Sequence, residues 1–205
     1  MRTDAVSNGR RKDEHMAETE RVHRLENADE ATTLGGLSAD EFKLAFRHHP
    51  SGVALITADS GDGPVAMTAT SVFSVSAEPP LLVFSISDQS SASATITRAE
   101  TLVVHLLSAD QLDLARLGAT SGIDRFADTS RWDRLITGEP YFPASRTWIR
   151  GRVIDRMRAG TSTVVAVHAL QARLPETPAA ENAAPLVYYR RTWHELTEDS
   201  EIGRQ

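Results

Sequence analysis

Apolar and polar positions alternate along most of this chain with the short rhythm of strands, and only a few segments carry a helical period. Residues 1–36 hold few large apolar side chains and mix both signs of charge, as in Arg10-Arg11-Lys12-Asp13-Glu14. That pattern predicts a mobile extension with no more than a transient helix over 17–28. Ser38 followed by Glu41 has the spacing of a capping box, and Phe42, Ala45, Phe46 and His49 then share one helical face. Pro50 and Gly52 stop that helix. The run Val53-Ala54-Leu55-Ile56-Thr57 is short and partly β-branched, which predicts a buried strand. Ser60-Gly61-Asp62-Gly63 reads as a hairpin turn. The partner strand is the most informative stretch of the chain. An apolar approach (Val65, Met67) runs into small hydroxyl residues (Thr68, Thr70, Ser71), and a second alternating stretch over 72–76 is stopped by Pro79-Pro80. The first strand should bend or split near 68–70. Its mixture of apolar and hydroxyl positions suits a wall that holds a flat polar ligand.

Further along, 81–87 predicts a buried strand, 90–99 a short helix and 101–107 another strand. A second capping box, Ser108 with Gln111, opens a helix carrying Leu112, Leu114, Ala115 and Leu117. Residues 118–133 read as irregular. Long strands over 147–157 and 161–172 meet at Ala159-Gly160, 175–185 is a loop rich in Ala, Pro and Glu, and 186–189 is a final strand. Strands that hairpins can join, with helices at the start and in between, predict a mainly β fold: an antiparallel barrel with covering helices. No Gly-x-Gly-x-x-Gly follows a strand and no Walker loop occurs, so a doubly wound nucleotide fold is excluded.

Composition narrows the class without choosing a function. The 205 residues suit one domain with a tail, and a net charge of −6 argues against a nucleic-acid surface. The absence of cysteine removes disulfides, thiol catalysis and cysteine-ligated metal sites. No apolar run approaches the ~18 residues of a membrane span, and the N-terminus lacks an apolar core of the secretory kind. The expectation is a soluble cytoplasmic protein with no metal, no membrane and no nucleic-acid partner.

Seven short motifs, in order, resemble the short-chain flavin reductase family, whose fold is the FMN-binding split barrel, a Greek-key-like antiparallel barrel. They are Phe46-Arg47-His48-His49-Pro50-Ser51-Gly52-Val53, the stretch from Asp62 through Met67-Thr68-Ala69-Thr70 to Ser71, Ser76-Ala77-Glu78-Pro79-Pro80-Leu81, Asp88-Gln89-Ser90-Ser91, Asp124-Arg125-Phe126-Ala127, Thr137-Gly138-Glu139-Pro140 and Pro185-Leu186-Val187-Tyr188-Tyr189. The resemblance spans roughly residues 40–193. It places a domain over 37–196, between the extension at 1–36 and a tail at 197–205. It implies a homodimer that binds FMN or FAD, oxidises NADH or NADPH, and in many members hands reduced flavin to a partner monooxygenase.

The same resemblance implies residue roles. Met67, Thr68, Ala69, Thr70 and Ser71 border the flavin ring, with Thr70 where the family often has Asn. Ser87, Gln89, Ser90 and Ser91 form the phosphate-binding turn, with neutral Gln89 near a position that is often basic. Arg125 reaches toward the phosphate and Phe126 packs beneath the loop. The chief departure is Ala159-Gly160-Thr161-Ser162-Thr163, where members commonly carry Gly-Asp-His. Ser162 stands where the family imidazole would be. A hydroxyl can bond a carboxamide but cannot become cationic. Two functional readings follow: an NAD(P)H-dependent flavin reductase, or a flavin-binding protein without nicotinamide-dependent activity.

Other candidates read more blandly. His168 shares a strand face with Ser162 but lies ~20 Å along it, which makes it a sheet-face histidine. His48-His49 can meet a helix dipole. The arginines at 146, 150, 152, 156 and 158 form either an electropositive rim for flavin or nicotinamide phosphates, or a solvated sheet face or dimer edge. Trp148, Trp193 and Tyr189 read as packing or dimer residues and not as cofactor stackers.

Overall fold

The structure, a computed structural model, describes residues 36–177 and 182–203. The helix expected over 17–28 lies outside the described residues. The described residues divide at 46/47 into two compact units. In the first, helix α1 (Ala39–Phe46) begins with the expected capping box. The Ser38 N–H donates to Glu41 Oε2 at 2.9 Å, and the Glu41 N–H donates to Ser38 Oγ at 3.3 Å. Phe42 and Phe46, one turn apart, bring their ring centroids to 4.7 Å.

The second unit is built on a seven-stranded antiparallel sheet. Its strands are β2 (Ala54–Asp59), β3 (Pro64–Ala69), β4 (Phe73–Ala77), β5 (Pro80–Ser87), β6 (Thr101–Leu106), β9 (Thr147–Ala159) and β10 (Ser162–Arg173). They lie in the order β3-β2-β6-β9-β10-β5-β4. Short strands β1 (Ser51–Gly52), β11 (Leu186–Tyr189) and β12 (Thr192–Glu195) make a second sheet, and β7 (Asp133–Arg134) pairs with β8 (Pro140–Tyr141). The helices are α2 (Ser93–Ile96) and α3 (Leu112–Ala119).

The continuous apolar run of β2 has a physical cause. Side chains alternate across a strand, and β2 lies between two cores. Ala54, Ile56 and Ala58 join a cluster with Phe84, Ile86, Leu102, Val104 and Val165. Val53 and Leu55 join another with Leu114, Ala115, Phe126, Phe142 and Leu186. The chain leaving edge strand β3 then reaches back to β5, the neighbour of the other edge strand. Ser71, just beyond β3, donates its hydroxyl to the Ser85 carbonyl at 3.2 Å and accepts the Ser85 N–H at 3.0 Å. One side chain bridges the gap where a closed barrel would have a ladder, so the sheet is not closed, consistent with the split barrel that the family resemblance implies.

Three expectations need correction. The helix over 90–99 shrinks to α2, because the Ser87 and Ser90 hydroxyls accept the N–H groups of Gln89 and Ala92 and hold the preceding residues in turns. Helix α3 continues to Ala119, past the 118 boundary. The strand 186–189 is not the last. β12 follows it through a two-residue turn at Arg190 and Arg191, with φ of 53° and 64°. Such turns favour Asn and Gly, so an Arg-Arg pair gives no turn signal.

Candidate functional site

β3 is the outermost strand of its sheet, paired with β2 only. Its other edge presents main-chain N–H and C=O groups that no strand takes up. The side chains of the predicted ring-bordering stretch are largely committed to the fold. Ala69 is buried in the first core and Met67 packs against it. The Thr68 hydroxyl donates to the Ala115 carbonyl in α3 at 2.6 Å, and Ser71 holds the split. Thr70 alone of the five is exposed, and its hydroxyl makes no hydrogen bond among the described residues. What this strand leaves open is its main-chain edge and the Thr70 side chain.

The predicted phosphate residues are brought together from distant parts of the chain. Asp124 Oδ1 accepts the Phe126 N–H at 2.9 Å, a turn that sends the side chains of Arg125 and Phe126 opposite ways. Phe126 goes inward, with its ring centroid 5.0 Å from Trp132 and 5.5 Å from Phe142. It is a core residue. Arg125 goes to the end of α3, where Nε donates to the Gly118 carbonyl at 3.2 Å and Nη2 to the Thr120 carbonyl at 2.7 Å. Its remaining nitrogen, Nη1, lies 3.4 Å from Ser91 Oγ. Ser87, Gln89, Ser90 and Ser91 occupy the turn before α2, with Ser90 half-buried and the other three exposed. With only four residues, α2 has little dipole field of its own. The anion chemistry here belongs to the guanidinium and the hydroxyls.

Gly118, which sequence reasoning passed over, joins the two clusters. A Cβ on it would collide with the Leu55 and Thr68 side chains and come within 2.9 Å of the Thr68 nitrogen, while its carbonyl accepts from Arg125. A glycine directly after the helical pattern of Leu112 to Leu117 was the available signal.

Ser162 lies directly opposite Ser87 in the β10–β5 register, so the position of the departed imidazole adjoins the predicted phosphate turn. Gly160 turns the hairpin with φ +60°. Two further residues fix this corner. Arg158 grips Asp88 with both guanidinium nitrogens, at 2.7 and 2.8 Å. The carboxylate's hydrogen bonds and charge hold Arg158 above its usual range. No spacing in the sequence marks this pair.

The arginine rim is largely neutralised. Arg146 pairs with Asp110, held down to a pKa of about 2 by that hydrogen bond. Arg150 pairs at 2.8 Å with buried Glu139. Burial would raise Glu139, but hydrogen bonds from Thr101 and Thr137 and the Arg150 charge hold it below the usual range. Arg156 donates to the Ala99 carbonyl at 2.7 Å. Half-buried His168 sits on the sheet face. Among the described residues no side-chain cluster has the makings of a metal site, and no helix is long and apolar enough to cross a membrane.

Comparison with known proteins agrees with this architecture. The family model described as a flavin reductase like domain matches residues 46–197. The chain is similar to an NADH:FMN oxidoreductase of Rhodococcus qingshengii, 41% identical over 162 residues, covering 79% of this chain and 84% of the relative. It is also similar to the reductase component of a 4-nitrophenol 4-monooxygenase/4-nitrocatechol 2-monooxygenase of Rhodococcus opacus, 28% identical over 166 residues, covering 81% of this chain and 85% of the relative. Among solved structures, a flavin reductase domain protein from Arthrobacter sp. FB24 shares the fold with a TM-score of 0.72 and 29% identity, covering 78% of this chain and 96% of that one.

Proposed function

The chain belongs to the flavin reductase like domain family and works as an NAD(P)H:flavin oxidoreductase, and on that premise we propose that the flavin is FMN, reduced by NADH, with its ring at the open edge of β3 and its phosphate on Arg125 and Ser91. The observation that carries this assignment is the convergence of both clusters on Gly118. When bound, the flavin supplies the redox chemistry by taking hydride from the nicotinamide. The protein supplies position. The main-chain edge of β3 and the Thr70 hydroxyl can donate to ring oxygens and nitrogens, as a flat heterocycle requires. Arg125 is held by two carbonyls with one nitrogen toward Ser91, so its guanidinium is oriented before any phosphate arrives. Ser162 can bond a carboxamide as donor or acceptor. Catalysis then rests on stacking and orientation, without a titrating side chain at that position.

We also assign reduced flavin to a partner monooxygenase, because the Rhodococcus opacus relative is the reductase component of such an enzyme. A homodimer is our reading of β4, an edge strand whose Phe73 and Val75 are exposed.

The test is NADH oxidation with FMN and, separately, with riboflavin, which lacks the phosphate. Arg125→Lys should raise the KM for FMN about tenfold or more and leave that for riboflavin in place. Equal effects on both flavins would sink the phosphate assignment. Flavin binding without turnover by the wild-type protein would replace the reductase with a flavin-binding protein.

A further inference from the structure

Arg47, His48, Arg190 and Arg191 line a cavity of about 370 Å³. All four are exposed and belong to the second unit. Two come from the turn joining β11 to β12. The other two precede β1, which pairs with β11 through Ser51 and Tyr188 and so brings the segments together. Tyr189 stands between them, with Arg190 Cζ 5.6 Å from its ring centroid and the His48 ring edge-on at 6.4 Å.

Three features set this cluster apart. The first is unspent charge. Arg98, Arg131, Arg134, Arg146, Arg150 and Arg158 each hold a carboxylate. Arg47, Arg190 and Arg191 hold none among the described residues, and unlike Arg116, Arg125, Arg152, Arg156 and Arg173, which also lack a carboxylate, they converge on one concave surface, in a chain whose net charge is −6. The second is backbone strain. Both turn residues have positive φ, 53° and 64°, a conformation natural to Asn-Gly and unfavourable to arginine. Arginine gives the turn itself nothing, and strain retained at a charged concave surface points to a ligand. The third is stoichiometry. Three planar guanidinium forks suit several phosphate oxygens at once, and a single monoester would leave one fork idle.

We propose that Arg47, His48, Arg190 and Arg191 form a binding site for a diphosphate anion, the chemistry shared by inorganic pyrophosphate and the diphosphate of a nucleotide. The site uses no residue of 67–71, 87–91 or 125–126, so it is distinct from the flavin site proposed above.

Calorimetric titration of the full chain with inorganic pyrophosphate at low ionic strength tests this. The wild-type protein should bind pyrophosphate saturably. Arg190→Asn combined with Arg191→Gly should weaken that binding at least tenfold while raising the thermal midpoint, since the replacement relieves the turn. Loss of binding could not then be laid to unfolding. Arg47→Ala, outside the turn, should weaken it as well. ADP that displaces pyrophosphate would assign the site to a nucleotide, and pyrophosphate that ADP fails to displace would assign it to the free anion. No saturable binding of either by the wild-type protein, or unchanged affinity in both variants, would overturn the proposal.

Discussion

At residue 118 a missing methyl group decides how near α3 comes to β3. Alanine in a helix is ordinarily better than glycine by about 1 kcal/mol. Here the new Cβ would meet the Leu55 side chain, the Thr68 hydroxyl and, at 2.9 Å, the Thr68 main chain. Backbone cannot rotate out of the way, so overpacking of about 1–3 kcal/mol wins. Gly118→Ala should lower the thermal midpoint and weaken flavin affinity together, read by unfolding and by flavin fluorescence. A stabilised variant with unchanged affinity would show that the close approach is irrelevant to the site. The sequence named Arg125, Phe126 and Ser91 through short motifs whose resemblance implies Arg125 toward the phosphate and Phe126 beneath the loop, but spacing alone does not say what sends the two side chains apart. That division is made by the Asp124 turn.

Between elements, the least visible connection is His105 on β6. It is wholly buried. Its Nδ1 lies 2.9 Å from the Leu55 carbonyl, which can only accept, so Nδ1 carries the proton. Its Nε2 accepts the Phe142 N–H at 3.1 Å. The ring thus pins β6 to β2 and to the segment after β8 as a neutral imidazole, and burial lowers its pKa from 6.5 to about 4. The sign follows. Above pH 6.5 the ring is neutral whether the chain is folded or not, and no stability is lost. As pH falls from 6.5 to about 4, the unfolded chain takes up a proton that the folded chain refuses. The folded state then loses about 3 kcal/mol. Denaturant midpoints should fall across that window and the slope should shrink in His105→Gln. Asp110, at about 2, is partly exposed and acts only at lower pH. Hairpins with glycine, at 60–63 and 159–160, were legible because positive φ selects that residue. The Arg190-Arg191 turn was not, because there the usual chemistry is overridden.

For the whole molecule, the open questions are its edges. β3 and β4 end the sheet, and uncovered edges invite pairing. β3 is joined to β5 by Ser71, whereas β4 shows Phe73 and Val75 at 61% and 56% exposure. If β4 lies in a homodimer contact, sedimentation will give the mass of two chains, and Val75→Lys will shift it toward one. A wild-type monomer would remove the dimer.

The sequence by itself determined the fold class and most strand positions, since alternation, turn glycines and apolar runs are local consequences of burial and backbone geometry. It determined the family too, because ordered short motifs survive where their residues make specific contacts. Only the tertiary structure decided that β3 offers its main chain and Thr70, that α3 meets β3 at a glycine, and that the arginines of β9 are largely committed while those at 47, 190 and 191 are unspent. Each of these depends on which distant groups share a few ångströms, and sequence spacing along one strand carries no record of what lies across from it.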